Sequence, residues 1–209
     1  MMTEFKSKGW SMNIKKDITI KRKHEKRWDE WKTFRWFGDM KIEKQVVPRV
    51  QILAKYLQNN FKILDICCGA GRYYKVIVED LKLISNSNYV GIDNSEGMLL
   101  EAKRRYEKGD FHNGDAYDLE FSDQSFDMCL LMDVIQHVPD YKPIIKEMFR
   151  VSKKYMIFVT WWTDGKEINK NANSDKISKH INKHMFIKFL KTLNPKEIKC
   201  EGTVIIFMK

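Results

Sequence analysis

A chain of 209 residues, 43% of them hydrophobic, can bury one sizeable α/β core with a short extension, and it excludes a second full domain. Its longest apolar runs, such as Met156 to Thr160 and Val204 to Met208, have strand length and exclude a membrane span. The net charge of +10 sits at the ends: residues 1–50 carry 14 basic and 7 acidic side chains, 51–163 carry 14 and 16, and 164–209 carry 10 and 5. That asymmetry permits a polyanionic partner such as RNA and equally describes a solvated basic face. The four cysteines, Cys67, Cys68, Cys129 and Cys200, lack metal-ligand spacing, so reduced buried thiols in a cytoplasmic protein are expected and a zinc site is not.

In chain order, residues 1–23 read as a flexible basic N-terminus without the apolar core of a signal peptide. Residues 24–45 read as an aromatic-rich lid helix, with Trp28, Trp31 and Phe34 at three-residue spacing and Trp36 a candidate substrate contact. The domain proper is assigned to 46–209. It opens with a helix over Val46 to Leu57, Pro48 near its start, followed by the apolar strand Ile63 to Ile66. The segment Cys67-Cys68-Gly69-Ala70-Gly71 is a small-residue turn, and a helix starts at Tyr73. A second strand, Tyr89 to Asp93, ends in an acid 22 residues after Gly71. Ser95 then caps a helix to Glu107 that buries Met98, Leu99, Ala102 and Tyr106.

A short strand over Phe111 to Gly114 leads to Asp115, and Asp127 to Met132 is the fourth strand. A helix over Lys142 to Arg150, a strand over Tyr155 to Trp161, a polar loop over Trp162 to His180 and a helix over His184 to Thr192 follow. The chain closes with a hairpin over Lys196 to Glu201 and Thr203 to Met208 about Gly202. The predicted architecture is α/β, a Rossmann-like seven-stranded, mostly parallel sheet with helices on both faces and an antiparallel C-terminal hairpin.

A glycine turn between a buried strand and a helix, followed by an acid at the end of the next strand, marks the place where an α/β sheet holds a nucleotide-like ligand. A dinucleotide site needs a third glycine, and Tyr74 fills that position. No Gly-Lys-Ser or Gly-Lys-Thr supplies the lysine of a P-loop.

The stretches Leu64-Asp65-Ile66-Cys67-Cys68-Gly69-Ala70-Gly71-Arg72-Tyr73, Val90-Gly91-Ile92-Asp93 and Phe121-Ser122-Asp123-Gln124-Ser125-Phe126-Asp127 together resemble the class I S-adenosylmethionine-dependent methyltransferases, in their small-domain, type 11-like branch. Cys67 departs from the glycine usual there, which narrows the available backbone conformations. The resemblance implies S-adenosyl-L-methionine as cofactor. Asp65 and the backbone of Cys67, Gly69 and Gly71 would hold its methionine part, Asp93 with Asn94 the ribose, Asp115 and the Ala116 amide the adenine, and the backbone of Leu131 and Met132 the methionine end.

His137, just after the fourth strand, is the candidate general base, with Asp133 and Gln136 to orient the acceptor. Trp161 and Trp162 follow the fifth strand as aromatic walls for an apolar, planar or cationic acceptor, and strand alternation sends one of them into the core. A small-molecule acceptor is expected. The alternatives are tRNA or rRNA methylation, in which the same rings would stack on a base, and a non-catalytic cofactor-binding partner protein.

Overall fold

In the computed structural model, which describes residues 42–166, 168–169 and 179–209, strand β1 (Ile63–Ile66) is buried along its whole length, as a strand covered on both faces must be. The assigned N-terminus 1–23 and most of the assigned lid 24–45, Trp36 included, lie outside the described residues. Helix α1 (Ile42–Ala54) packs Val46, Val50 and Leu53 on the core at helical spacing. It begins four residues before the predicted start, so Pro48 falls inside it. Helix α2 (Arg72–Tyr74) runs into π-helical backbone over Lys75–Asp80, where Leu81 N donates to the Val76 carbonyl at 3.0 Å. That winding sets Lys75 Nζ 2.7 Å from Asp80.

Strand β2 (Tyr89–Asp93) leads into helix α3 (Glu96–Arg105), whose cap Ser95 accepts from Met98 N at 3.2 Å. Then follow β3 (Asp110–Asn113), β4 (Phe126–Met132), helix α4 (Lys142–Val151) and β5 (Ser152–Val159). The predicted irregular loop instead contains three short strands, β6 (Trp162–Thr163), β7 (Ile168–Asn169) and β8 (Lys179–Asn182), in a small sheet of order β6-β8-β7. Helix α5 (Lys183–Lys191) and the hairpin β9 (Glu197–Glu201) and β10 (Val204–Met208) complete the chain.

The main sheet has seven strands in the order β3-β2-β1-β4-β5-β10-β9. Its first five strands are parallel, and β10 runs antiparallel to β5 and β9. One apolar cluster lies under α1, α2 and α3 and a second under α4 and α5, so helices cover both faces. Cys68 belongs to the first cluster and Cys67 packs against the second, on opposite sides of the chain. Cys129 is also buried, but Cys200 is exposed, because it lies on the edge strand β9. Strand order reverses between β1 and β4, which places a crevice at their carboxyl ends. Among the described residues, no helix is long and apolar enough to cross a membrane.

Candidate active site

The turn after β1 is built from three left-handed residues, Cys67 (φ 57°), Gly69 (φ 55°) and Gly71 (φ 78°). Cys68 N, donating to the Ile92 carbonyl at 2.9 Å, ties the turn to β2. The two glycines serve different needs. A Cβ on Gly69 would meet only Met98 Sδ, at 4.0 Å, so this residue leaves room on the cleft side. One on Gly71 would come within 2.9 Å of the Tyr106 ring and 3.2 Å of Phe111, so core packing requires that glycine, and it does not line the cleft. Cys67 adopts its left-handed conformation with a side chain, at a cost of about 1–2 kcal/mol.

The cleft beyond this turn encloses about 1060 Å³, open solvent at its mouth included, and three carboxylates reach it from the ends of successive strands. Asp65 lies 1% exposed on the floor, where the Tyr89 hydroxyl donates to it. Burial pushes its carboxyl up to about 7, against the Tyr89 hydrogen bond that pulls it down. Asp93 Oδ2 accepts from Gly69 N at 2.8 Å and Oδ1 from Ser95 N at 2.9 Å, so one side chain stitches the glycine turn to the start of α3. Asn94 stands exposed beside Asp93. Asp115 Oδ1 accepts from Tyr117 N at 2.9 Å, which curls the chain and presents Ala116 to the cleft.

At the other end, Met132 lines the cleft whereas Leu131 is fully buried in the second core cluster, as alternation along β4 dictates. Asp133, left-handed at φ 59°, is held 2.5 Å from Arg49 Nη1 of α1 and 3.8 Å from Arg72 Nη2. Arg49 also donates to the Tyr73 hydroxyl at 3.2 Å. His137 ends a 3₁₀ turn (Ile135–His137) and lines the cleft, with its ring edge-to-face against Trp161 at 5.6 Å. Gln136 is 1% exposed and accepts from the Thr160 hydroxyl, which turns it into the protein. Trp162 Nε1 donates to the Thr203 carbonyl at 2.7 Å, and its ring packs on Phe186.

One cleft thus gathers Asp65, Cys67, Gly69, Asp93, Asn94, Asp115, Ala116, Met132, Asp133 and His137. Gly71, Leu131, Gln136 and Trp162 are drawn instead into packing or internal hydrogen bonds, and Trp161 packs its ring on His137 without lining the cleft itself. Sequence reasoning missed Arg49, Arg72, Tyr73, Met98 and Tyr117. Arg72 and Tyr73 directly follow the glycine turn and were findable there. Arg49 carries no local signal of its distant partner.

The profile of a family described as a methyltransferase domain matches residues 57–194, more than half of the chain. Over 102 residues the chain is 32% identical to the demethylmenaquinone methyltransferase of Listeria welshimeri, covering 46% of this chain and 42% of that protein. The chain therefore spans less than half the length of the curated relatives it matches first. Among solved structures, a SAM-dependent methyltransferase from Methanosarcina mazei has a similar fold, with TM-score 0.60 and 22% identity, over 76% of this chain and 96% of that one. So has phosphoethanolamine N-methyltransferase 2 of Haemonchus contortus in complex with S-adenosyl-L-methionine, with TM-score 0.63 and 20% identity, over 74% and 38%.

Proposed function

Because the chain belongs to the methyltransferase-domain family, in its class I fold, we propose that it binds S-adenosylmethionine in this cleft and methylates a small-molecule acceptor. The observation that carries the reading is the convergence of Asp65, Asp93 and Asp115 on one cleft beneath the glycine turn. The acids at the strand ends suit the hydroxyl and amino groups of a nucleoside and the ammonium of a methionine part, so the residues present fit this cofactor, and Tyr74 at the third glycine position disfavours a dinucleotide.

Asp93, beside Asn94, would take the ribose hydroxyls, and Asp115 with the Ala116 amide the adenine. Asp65 and the backbone of Cys67, Gly69 and Met132 would take the methionine part. When bound, the cofactor supplies an electrophilic methyl group for in-line displacement: the acceptor's lone pair forms the new bond while the carbon–sulfur electron pair stays on sulfur. His137 accepts the proton that the acceptor sheds. Val134, Val138, Pro139 and Ile144 make the surrounding wall apolar and keep competing water out.

A small acceptor suits this enclosed wall, and the relatives named for demethylmenaquinone point the same way. No feature of the described residues favours the RNA or the non-catalytic reading. Calorimetric titration of the nucleic-acid-free protein with S-adenosylhomocysteine should give saturable 1:1 binding, with NADH silent. Binding of NADH, or of neither ligand by folded protein, would overturn the cofactor reading.

A further inference from the structure

The stretch Phe121 to Asp127 carries part of the sequence resemblance, yet it does not line the cleft. Its first residues, 121–125, end the connection from β3 to β4. The other end of that connection presents Asp115 and Ala116 to the cleft. Over 114–125 the chain is irregular apart from a bridge between Asp115 and Asp118, so its backbone polar groups must find partners elsewhere.

Helix α4 supplies them. Glu147 and Arg150 lie three residues apart, on one helical face. Glu147 Oε2 accepts from Leu119 N at 3.1 Å. Arg150 Nη2 donates to the Leu119 carbonyl at 2.7 Å, and Nη1 donates to the Phe121 carbonyl at 2.7 Å and to Asp123 Oδ1 at 2.9 Å. Nε and Nη2 also donate to Glu147, at 3.0 and 2.7 Å, which sets the angle of the fork. All five donors of the guanidinium therefore have an acceptor, three of them on the connection. The Arg150 carbonyl in turn accepts from Gln124 N at 2.9 Å.

The effect reaches the cleft through one short turn. Asp118 N donates to the Asp115 carbonyl at 3.1 Å and Tyr117 N to Asp115 Oδ1 at 2.9 Å, and the turn's far end, Leu119, is held at both its amide and its carbonyl. Asp115 and the Ala116 amide thus face the cleft from a fixed frame. Hydrogen bonds to a base weaken steeply with distance and angle, so that frame decides whether the base is read.

We propose that Arg150, aided by Glu147, is a positioning residue for adenine recognition: from α4 it fixes the turn over 115–119 so that the site distinguishes a 6-amino purine from a 6-oxo purine. The proposal rests on the cofactor reading above and deepens it.

Calorimetry with S-adenosylhomocysteine and S-inosylhomocysteine, which differ only at that edge of the base, tests it through binding alone. The oxo compound sets an oxygen against the Asp115 carboxylate and an N–H against the Ala116 amide, so the parent should prefer the amino compound by about tenfold or more. Arg150→Ala should reduce that preference to about twofold or less by weakening the amino compound, with affinity for the oxo compound unchanged. Arg150→Lys keeps the charge without the fork, so its preference should fall between, and it decides the matter alone if the alanine variant does not fold. The Arg150 side chain is 31% exposed, so its truncation opens no sealed cavity. Asp115→Ala should also abolish the preference, and adding Arg150→Ala to it should cost no further preference. Lys209→Met removes bonds to the Phe149 and Ser152 carbonyls at the same end of α4, and should lower the thermal midpoint with the preference kept. Equal weakening of both compounds by Arg150→Ala, an unchanged preference in the Arg150 variants, or a parent without preference would each overturn the proposal while leaving the cofactor reading intact. Failure of the folded parent to bind either compound would remove the methyl-transfer reading, and this proposal with it.

Discussion

Asp65 couples the floor of the cleft to stability in a way that pH can expose. Its carboxyl is 1% exposed, and burial holds its pKa at about 7, while the unfolded chain returns it to about 3.9. Between those values the folded protein keeps a proton that the unfolded chain releases, so the folded state binds more protons and stability falls as pH rises from 4 to 7. Above 7 both states are ionised and the full penalty persists. Three pK units correspond to about 4 kcal/mol, a ceiling because hydration of the floor reduces it. Asp65→Asn keeps an oxygen to accept from the Tyr89 hydroxyl and removes the ionisation. Urea denaturation between pH 4.5 and 8.5 should find the variant close to the parent at the acid end and more stable by up to about 4 kcal/mol at pH 8. A difference that stays flat with pH would refute the reasoning, since an altered hydrogen bond alone carries no proton linkage.

The other predictions concern strain, capping and charge. Cys67→Gly should raise stability by about 1 kcal/mol in urea denaturation, the left-handed strain relieved less the entropy of glycine, and a loss would show that the thiol's packing outweighs its backbone. Asp93→Asn should cost about 1–3 kcal/mol of stability through the amides of Gly69 and Ser95, and also weaken S-adenosylhomocysteine about 10-fold or more; a stability loss with unchanged affinity would confine Asp93 to holding the turn. Arg49→Ala leaves Asp133 partly buried with Arg72 at 3.8 Å as its remaining cation among the described residues, so about 1–3 kcal/mol should be lost and largely recovered in the Arg49→Ala, Asp133→Ala double variant; additive losses would show that the pair is not coupled. His137→Ala should lower turnover about 100-fold or more with cofactor affinity retained, and full turnover would exclude it as the base.

What the sequence disclosed and what it hid follow from the range of the forces involved. Strands β1 and β2 coincide with their predicted residues because each is an apolar run bounded by polar residues or a glycine turn, a signal carried within a few positions. The π-helical stretch Lys75–Asp80 was invisible, since apolar spacing alone does not separate i→i+4 from i→i+5 winding over six residues. Gly69 and Gly71 look alike in sequence, yet one leaves room in the cleft and the other makes room for Tyr106 and Phe111, residues supplied by two later elements. Arg49 is the sharpest case. Taken locally, it is a charged residue on an amphipathic helix, and such residues ordinarily face water. Its ion pair lies 84 residues away, on a left-handed aspartate whose position only the assembled sheet defines. The acids that end strands were legible because strand ends are locally marked, whereas the cations that balance them arrive through tertiary packing. A reading from motifs alone therefore yields a site more acidic than the folded one.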